Sequence, residues 1–149
     1  FRLATVFGFS YRMRSDVMVN NFVFSAVKEK KLKLFEPHFR RNFIHVRDVV
    51  DCILYTINNF GKMKNNIYNA GLNSANITKI QLAQLIKKQI KGLKLTIIKG
   101  IKDPDQRNYF VSNDKLMKKG FKARRDLNEG IKELIKGFKV EGLKIKNNY

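Results

Sequence analysis

The sequence predicts an α/β fold. Two observations carry that expectation: short apolar, β-branched runs alternate with longer segments whose apolar residues recur every three or four positions, and the connections between them are short. The chain has 149 residues and a hydrophobic fraction of 44%, enough to bury one core. No internal repeat or linker-like stretch divides it.

"FRLATVFG", Phe1 to Gly8, reads as a buried strand closed by glycine, and a chain that opens on such a run is expected to be one entered mid-fold. Ser15 or Asp16 offers an N-cap for a helix with Val19, Phe22, Val23, Ala26 and Val27 on one face and a lysine-rich last turn. "LKLF", Leu32 to Phe35, is a short strand, Pro37 punctuates a loop, and "NFIHV" is a further extended piece. Arg47 or Asp48 then opens a helix with an apolar stripe of Val49, Val50, Ile53, Leu54 and Ile57, ending near Gly61.

"NIYNAG" reads as a strand closing at Gly71. Thr78 with Gln81 three residues later forms a capping box for a helix running through Ile80, Ala83, Ile86 and Ile90 to Gly92. "LKLTIIK" alternates like a strand, Pro104 marks a loop, and Ser112 or Asn113 caps a short helix with Leu116 and Met117. Asp126 with Glu129 opens the last helix, whose face is Leu127, Ile131, Leu134, Ile135 and Phe138; the basic residues after it are expected to fray.

Lysine and arginine number 31 against 12 acidic residues, a formal charge of +19. Such a balance raises nucleic acid or an anionic membrane as a partner, but the lysines are spread beside abundant Asn, Ile and Phe, the mark of AT-rich codons in any fold, whereas a functional patch clusters. The single Cys52 forms no internal disulfide, which fits a reducing cytoplasm. No run reaches the roughly 18 apolar residues of a spanning helix, so no membrane role is expected.

In order, "RLATVFG", "RMRSDVMVNNF", "LKLFE", "RRNFIHVRDVVDCI", "IYNAG" and "DPDQRNYFVSNDKLMKKGFKARRDLNEGI" resemble the C-terminal half of the extended short-chain dehydrogenase/reductase family, the NAD-dependent nucleotide-sugar epimerases and dehydratases. Singly such motifs are weak, and jointly they are specific. The resemblance implies the C-terminal part of a Rossmann-like doubly wound sheet, its last strands and helices interleaved over residues 1–149 with a small α/β nucleotide-sugar-binding lobe. It implies NAD as cofactor, with NADP left open, and a homodimer when intact.

The family's glycine-rich dinucleotide turn and Tyr-x-x-x-Lys pair have no counterpart here: Tyr11, Tyr55, Tyr68 and Tyr109 are followed four residues on by Ser15, Asn59, Leu72 and Asn113. The expectation is therefore a fragment that is inactive alone, its catalytic pair lying in an absent N-terminal half. Strands that pair with that half in the family would here expose edges and an apolar face, which predicts poor solubility.

The resemblance also implies site residues. Arg41 precedes "NFIHV" where relatives place a diphosphate ligand, and Arg107 lies in the late loop that carries a second; arginine's planar fork suits phosphate oxygens. Arg40 is read as the exposed neighbour. Some relatives place the late arginine three residues before the position of Asp105, where Lys102 stands. Lys33 and Phe35 are expected beside the nucleobase, and Asp16, Asn20 and Arg14 near the sugar or phosphates. Ala4 and Thr5 are expected near the nicotinamide, Thr5 where relatives often carry asparagine. His38, His45, Asp48 and Asp51 are read as structural, since no ligand set or catalytic triad accompanies them.

The sequence leaves open the sugar, the base, and whether the reaction is epimerisation, dehydration or reduction. Two other readings compete: a basic nucleic-acid-binding module, and a non-catalytic sensor on the same fold.

Overall fold

The structure is a computed structural model and describes residues 1–102 and 106–140. The expected opening strand is split at Ala4 into β1 (Arg2–Leu3) and β2 (Thr5–Phe7). The cause is pairing on opposite sides. The Ala4 N–H donates to Ala70 O at 2.9 Å and the Thr5 N–H to Asn42 O at 3.0 Å, because successive amides of an extended chain point in opposite directions.

Helix α1 (Met18–Glu29) starts later than expected, with Val17 at the N-cap position and no side chain capping it. Asp16 is occupied elsewhere, by Arg14. β3 (Lys31–Phe35) alternates as its sequence requires, with Leu32 and Leu34 buried and Lys31 and Lys33 exposed. β4 (Arg40–Arg41) and β5 (Phe43–His45) follow.

Helix α2 (Val46–Asn58) is capped by His45, whose Nδ1 accepts the Arg47 N–H, rather than by Arg47 or Asp48. Its buried residues are Asp48 and Cys52. The stripe read as its core face is mostly open: Val50, Ile53, Leu54 and Ile57 are all exposed, the last by 63%. Gly61 does not end this helix, for it lies within the short α3 (Phe60–Met63).

The "NIYNAG" strand reduces to β6 (Asn69–Ala70), and β7 (Ile77–Thr78) leads into α4 (Lys79–Gln89). The Thr78 and Gln81 capping box is formed as predicted. After β8 (Lys94–Ile98) come α5 (Asp114–Lys118) and α6 (Leu127–Val140). Asn113 stands at the N-cap of α5 without capping it: its Nδ2 donates to Asn73 Oδ1, and its Oδ1 accepts no helix N–H. Asp126 caps α6 through the Glu129 N–H at 2.8 Å. Pro104 and the basic tail from 141 onward lie outside the described residues.

Three strand pairs are parallel, β1 with β6, β2 with β5 and β3 with β8, and β4 pairs antiparallel with β7. Parallel neighbours need crossovers, which the helices supply. One core joins α1, α4 and α6 through Val19, Val23, Leu82, Ile86, Ile131 and Leu134; a second gathers Ile44, Cys52, Met63, Tyr68 and Leu116. The strand pair β2 and β5 lies between them and positions the site.

Candidate functional site

A cleft of about 290 Å³ opens where β2 and β5 end, lined among others by Thr5, Gly8, Arg14 and Asn20. The C-terminal ends of parallel strands are where open α/β sheets bind ligands. Three residues expected at the site thus share one wall. Asn20, 3% exposed, stitches the loop, its Oδ1 accepting the Gly8 N–H at 3.1 Å and its Nδ2 donating to Arg14 O at 2.8 Å. Gly8 holds φ at +130°, and a Cβ there would stand 2.8 Å from His45 Nε2.

Arg14 grips Asp16 by Nε to Oδ1 at 2.7 Å and Nη2 to Oδ2 at 2.5 Å, and this hydrogen bonding holds the Asp16 carboxyl below its usual range. Ala4 does not line the cleft; it packs against the core around Ile44.

Under the cleft lies His45, 1% exposed, against the edge of Phe7. Its Nε2 has no hydrogen-bond partner and stands 3.6 Å from Glu133 Oε2. The same carboxylate accepts the Phe9 N–H and meets Arg47. Burial pushes the His45 pKa below its usual 6.5, outweighing the pull of Glu133; Asp48 raises it, while Arg47 and Arg125 lower it further. A folded-state value below the unfolded one means that the stability from neutral His45 is complete above pH 6.5 and is lost as pH falls through the folded-state value. The melting temperature should therefore drop on acidification below pH 6.5, and His45→Gln should flatten that slope.

The second group surrounds the entry to β5. Arg41, read as a phosphate ligand, is 1% exposed. Its Nη1 donates to Arg40 O at 3.0 Å and its guanidinium lies 5.4 Å from the Tyr109 ring centre. Arg40 is half-buried, not the fully exposed neighbour expected. Arg107 is exposed, two residues before Tyr109, in a segment laid along β4: the Arg40 N–H donates to Asn108 Oδ1 and the Tyr109 N–H to Arg40 O.

Lys33 is exposed and pairs in register with Thr96, while Phe35, half-buried, faces Ile98. The Phe35 carbonyl accepts Lys79 Nζ at 3.2 Å, and this lysine is only 2% exposed, over the Phe39 ring. Nothing local in the sequence marked Lys79.

Among the described residues no group of three His, Cys, Asp or Glu is placed to hold a metal ion, and no helix is long and apolar enough to cross a membrane. Burial pushes the Cys52 thiol up to about 11, so it stays protonated and unreactive.

Residues 1–71 match the NAD dependent epimerase/dehydratase family. Over that stretch, just under half of the chain, it is similar to the NAD-dependent epimerases and dehydratases. GDP-L-colitose synthase of Yersinia pseudotuberculosis is 36% identical over 110 residues, 73% of this chain and 33% of that protein. Among solved structures, UDP-glucose 4-epimerase of Thermotoga maritima, determined with UDP-glucose, superposes with a TM-score of 0.76 at 22% identity, covering 94% of this chain and 45% of the other. The NAD complex of UDP-glucose 4-epimerase from Thermus thermophilus gives 0.72 at 18% identity, covering 93% and 45%. The α/β, Rossmann-like class expected from the sequence is the observed one, and the chain spans less than half the length of these enzymes.

Proposed function

We propose that this chain supplies the substrate-binding half of a cytoplasmic NAD-dependent epimerase or dehydratase acting on a nucleoside-diphosphate sugar. The observation that carries the reading is the arrangement at β4. Arg41 is buried there as a fixed cation, and the segment bearing Arg107 is hydrogen-bonded to the neighbouring Arg40. Arg41 on β4 and Arg107 on the segment beside it would suit the paired charges of a diphosphate.

Lys33 and Phe35 border the base on this reading, and the cleft at Thr5 receives the sugar and the nicotinamide ring. That cleft, at about 290 Å³, lies at the small end of ligand pockets and accommodates a ring rather than a dinucleotide. The residues present thus fit the reactive end of the cofactor. The chemistry that a bound nicotinamide would supply is reversible hydride exchange with a ring carbon of the sugar. On this reading Thr5 offers a hydroxyl to the cleft, Asn20 fixes the loop from Gly8 to Arg14 that walls it, and Arg14, released from Asp16, meets a substrate oxygen. With no Tyr-x-x-x-Lys pair in its sequence, the chain alone should bind without turning over.

Titration calorimetry with UDP and GDP tests the reading. Arg41→Gln should weaken the bound diphosphate by roughly 10- to 100-fold and Arg107→Gln by less, since hydrogen bonds between charged groups contribute about 1.5–3 kcal/mol. Equal affinity in the Arg41 variant, or no binding by the unaltered chain, contradicts it.

A further inference from the structure

The segment that carries Arg107 is tied down at defined points. Asn76, 8% exposed, meets Val111 with both halves of its amide: Oδ1 accepts the Val111 N–H at 2.9 Å and Nδ2 donates to Val111 O at 2.9 Å. A side-chain amide here does what a neighbouring strand would do for Val111. Two residues earlier the Tyr109 N–H reaches Arg40 O at 3.3 Å, and Asn108 Oδ1 accepts the Arg40 N–H at 2.8 Å. Arg40 Nη1 closes the circuit on Asn76 O at 3.3 Å.

Tyr109 hangs between these anchors with its ring 5.4 Å from Arg41 Cζ, inside the range at which an aromatic face attracts a guanidinium. Arg41 is 1% exposed, so the ring is part of what encloses it. A planar fork binds two phosphate oxygens only if its plane is held, and stacking is a contact that holds a plane without using an N–H.

We propose that Tyr109, fixed by the Asn76 clamp, is the positioning residue that sets the plane of the Arg41 guanidinium toward a diphosphate. The proposal rests on Arg41 being a phosphate ligand. It requires the tyrosine's ring and not its hydroxyl, and it makes Asn76, 33 residues away in sequence, a determinant of phosphate affinity.

The test is calorimetry on the full chain with UDP and GDP, each beside its own nucleoside, together with thermal melting of every variant. Tyr109→Leu and Asn76→Asp should each weaken the diphosphate about tenfold and leave the nucleoside unchanged, while Tyr109→Phe should bind like the unaltered chain. Asn76→Asp puts an acceptor against Val111 O, so it releases the segment without removing the ring.

If Tyr109→Leu binds the diphosphate normally while Arg41→Gln does not, the positioning role is wrong and the phosphate reading stands. Parallel loss of nucleoside and diphosphate in Tyr109→Leu marks a merely structural residue and also overturns the proposal. If Tyr109→Leu fails to melt cooperatively, Tyr109→Met, which also removes the aromatic ring, is measured in its place and decides by the same split against Tyr109→Phe. No diphosphate binding by the unaltered chain, or full binding by Arg41→Gln, removes the phosphate reading and this proposal with it.

Discussion

Gly71→Ala should lower the melting temperature by roughly 10 °C, a loss of about 3 kcal/mol for a chain of this size. A Cβ at this position would stand 1.8 Å from Asn42 Oδ1 and 2.9 Å from Asn113 Oδ1. Neither side chain has room to withdraw, for Asn42 is wholly buried and Asn113 is 2% exposed. Asn42 Nδ2 donates to Leu72 O at 2.8 Å, and Asn113 Nδ2 to Asn73 Oδ1 at 2.9 Å. Rotating either amide away from the new methyl breaks a buried hydrogen bond, and leaving it in place forces overlap; each costs about 1–3 kcal/mol. A melting temperature within 2 or 3 °C of the unaltered chain, about the shift for 1 kcal/mol, would show that the backbone at Gly71 relaxes.

Asp48→Ala should cost a similar amount, about 3 kcal/mol, through a different mechanism. Asp48 is 1% exposed and receives the Arg125 backbone N–H at 3.0 Å and Arg125 Nη1 at 2.7 Å. It therefore fastens α2 to the segment leading into α6. Removing the carboxylate strands the Arg125 backbone N–H and takes one of the two carboxylates from its guanidinium, leaving the joint between α2 and the segment before α6 unfastened. Asp51 also reaches Arg125 Nη1, at 2.6 Å, but its side chain is 48% exposed. Asp51→Ala should therefore cost under about 1 kcal/mol. Urea unfolding of the two variants checks the contrast, and equal losses would contradict it.

The parts of the fold that were legible in the sequence are those written in local patterns. The capping signals of Thr78 with Gln81 and Asp126 with Glu129 lie within four residues of one another, and both form. The alternation Lys31, Leu32, Lys33, Leu34 states its own pleat. Thr5, Arg14 and Asn20, named from family resemblance, line one cleft, and their roles there belong to the proposal above.

What was missed depends on partners far along the chain. Asp48 and Arg125 are 77 residues apart, and Asn76 and Val111 are 35 apart. Periodicity carries no trace of such pairs, so Asp48 read as a helix-start acid and Asn76 drew no reading at all. The α2 stripe misled for a related reason. Apolar spacing predicts that a face is to be covered, and among the described residues Val50, Ile53, Leu54 and Ile57 remain exposed. Lys79 was opaque because a buried polar side chain is decided by the carbonyl that the fold brings to it, whereas His45 was read as structural and only its capping of α2 and its neighbour Glu133 were missed.

The most direct test of the central claim is a crystal structure of the chain with a bound nucleoside diphosphate. The predicted result is a phosphate oxygen within about 3 Å of the Arg41 guanidinium, with Arg107 on the same diphosphate and the base beside Phe35. A diphosphate held instead at the cleft by Arg14, with Arg41 still enclosed under Tyr109 and touching no ligand atom, would contradict it.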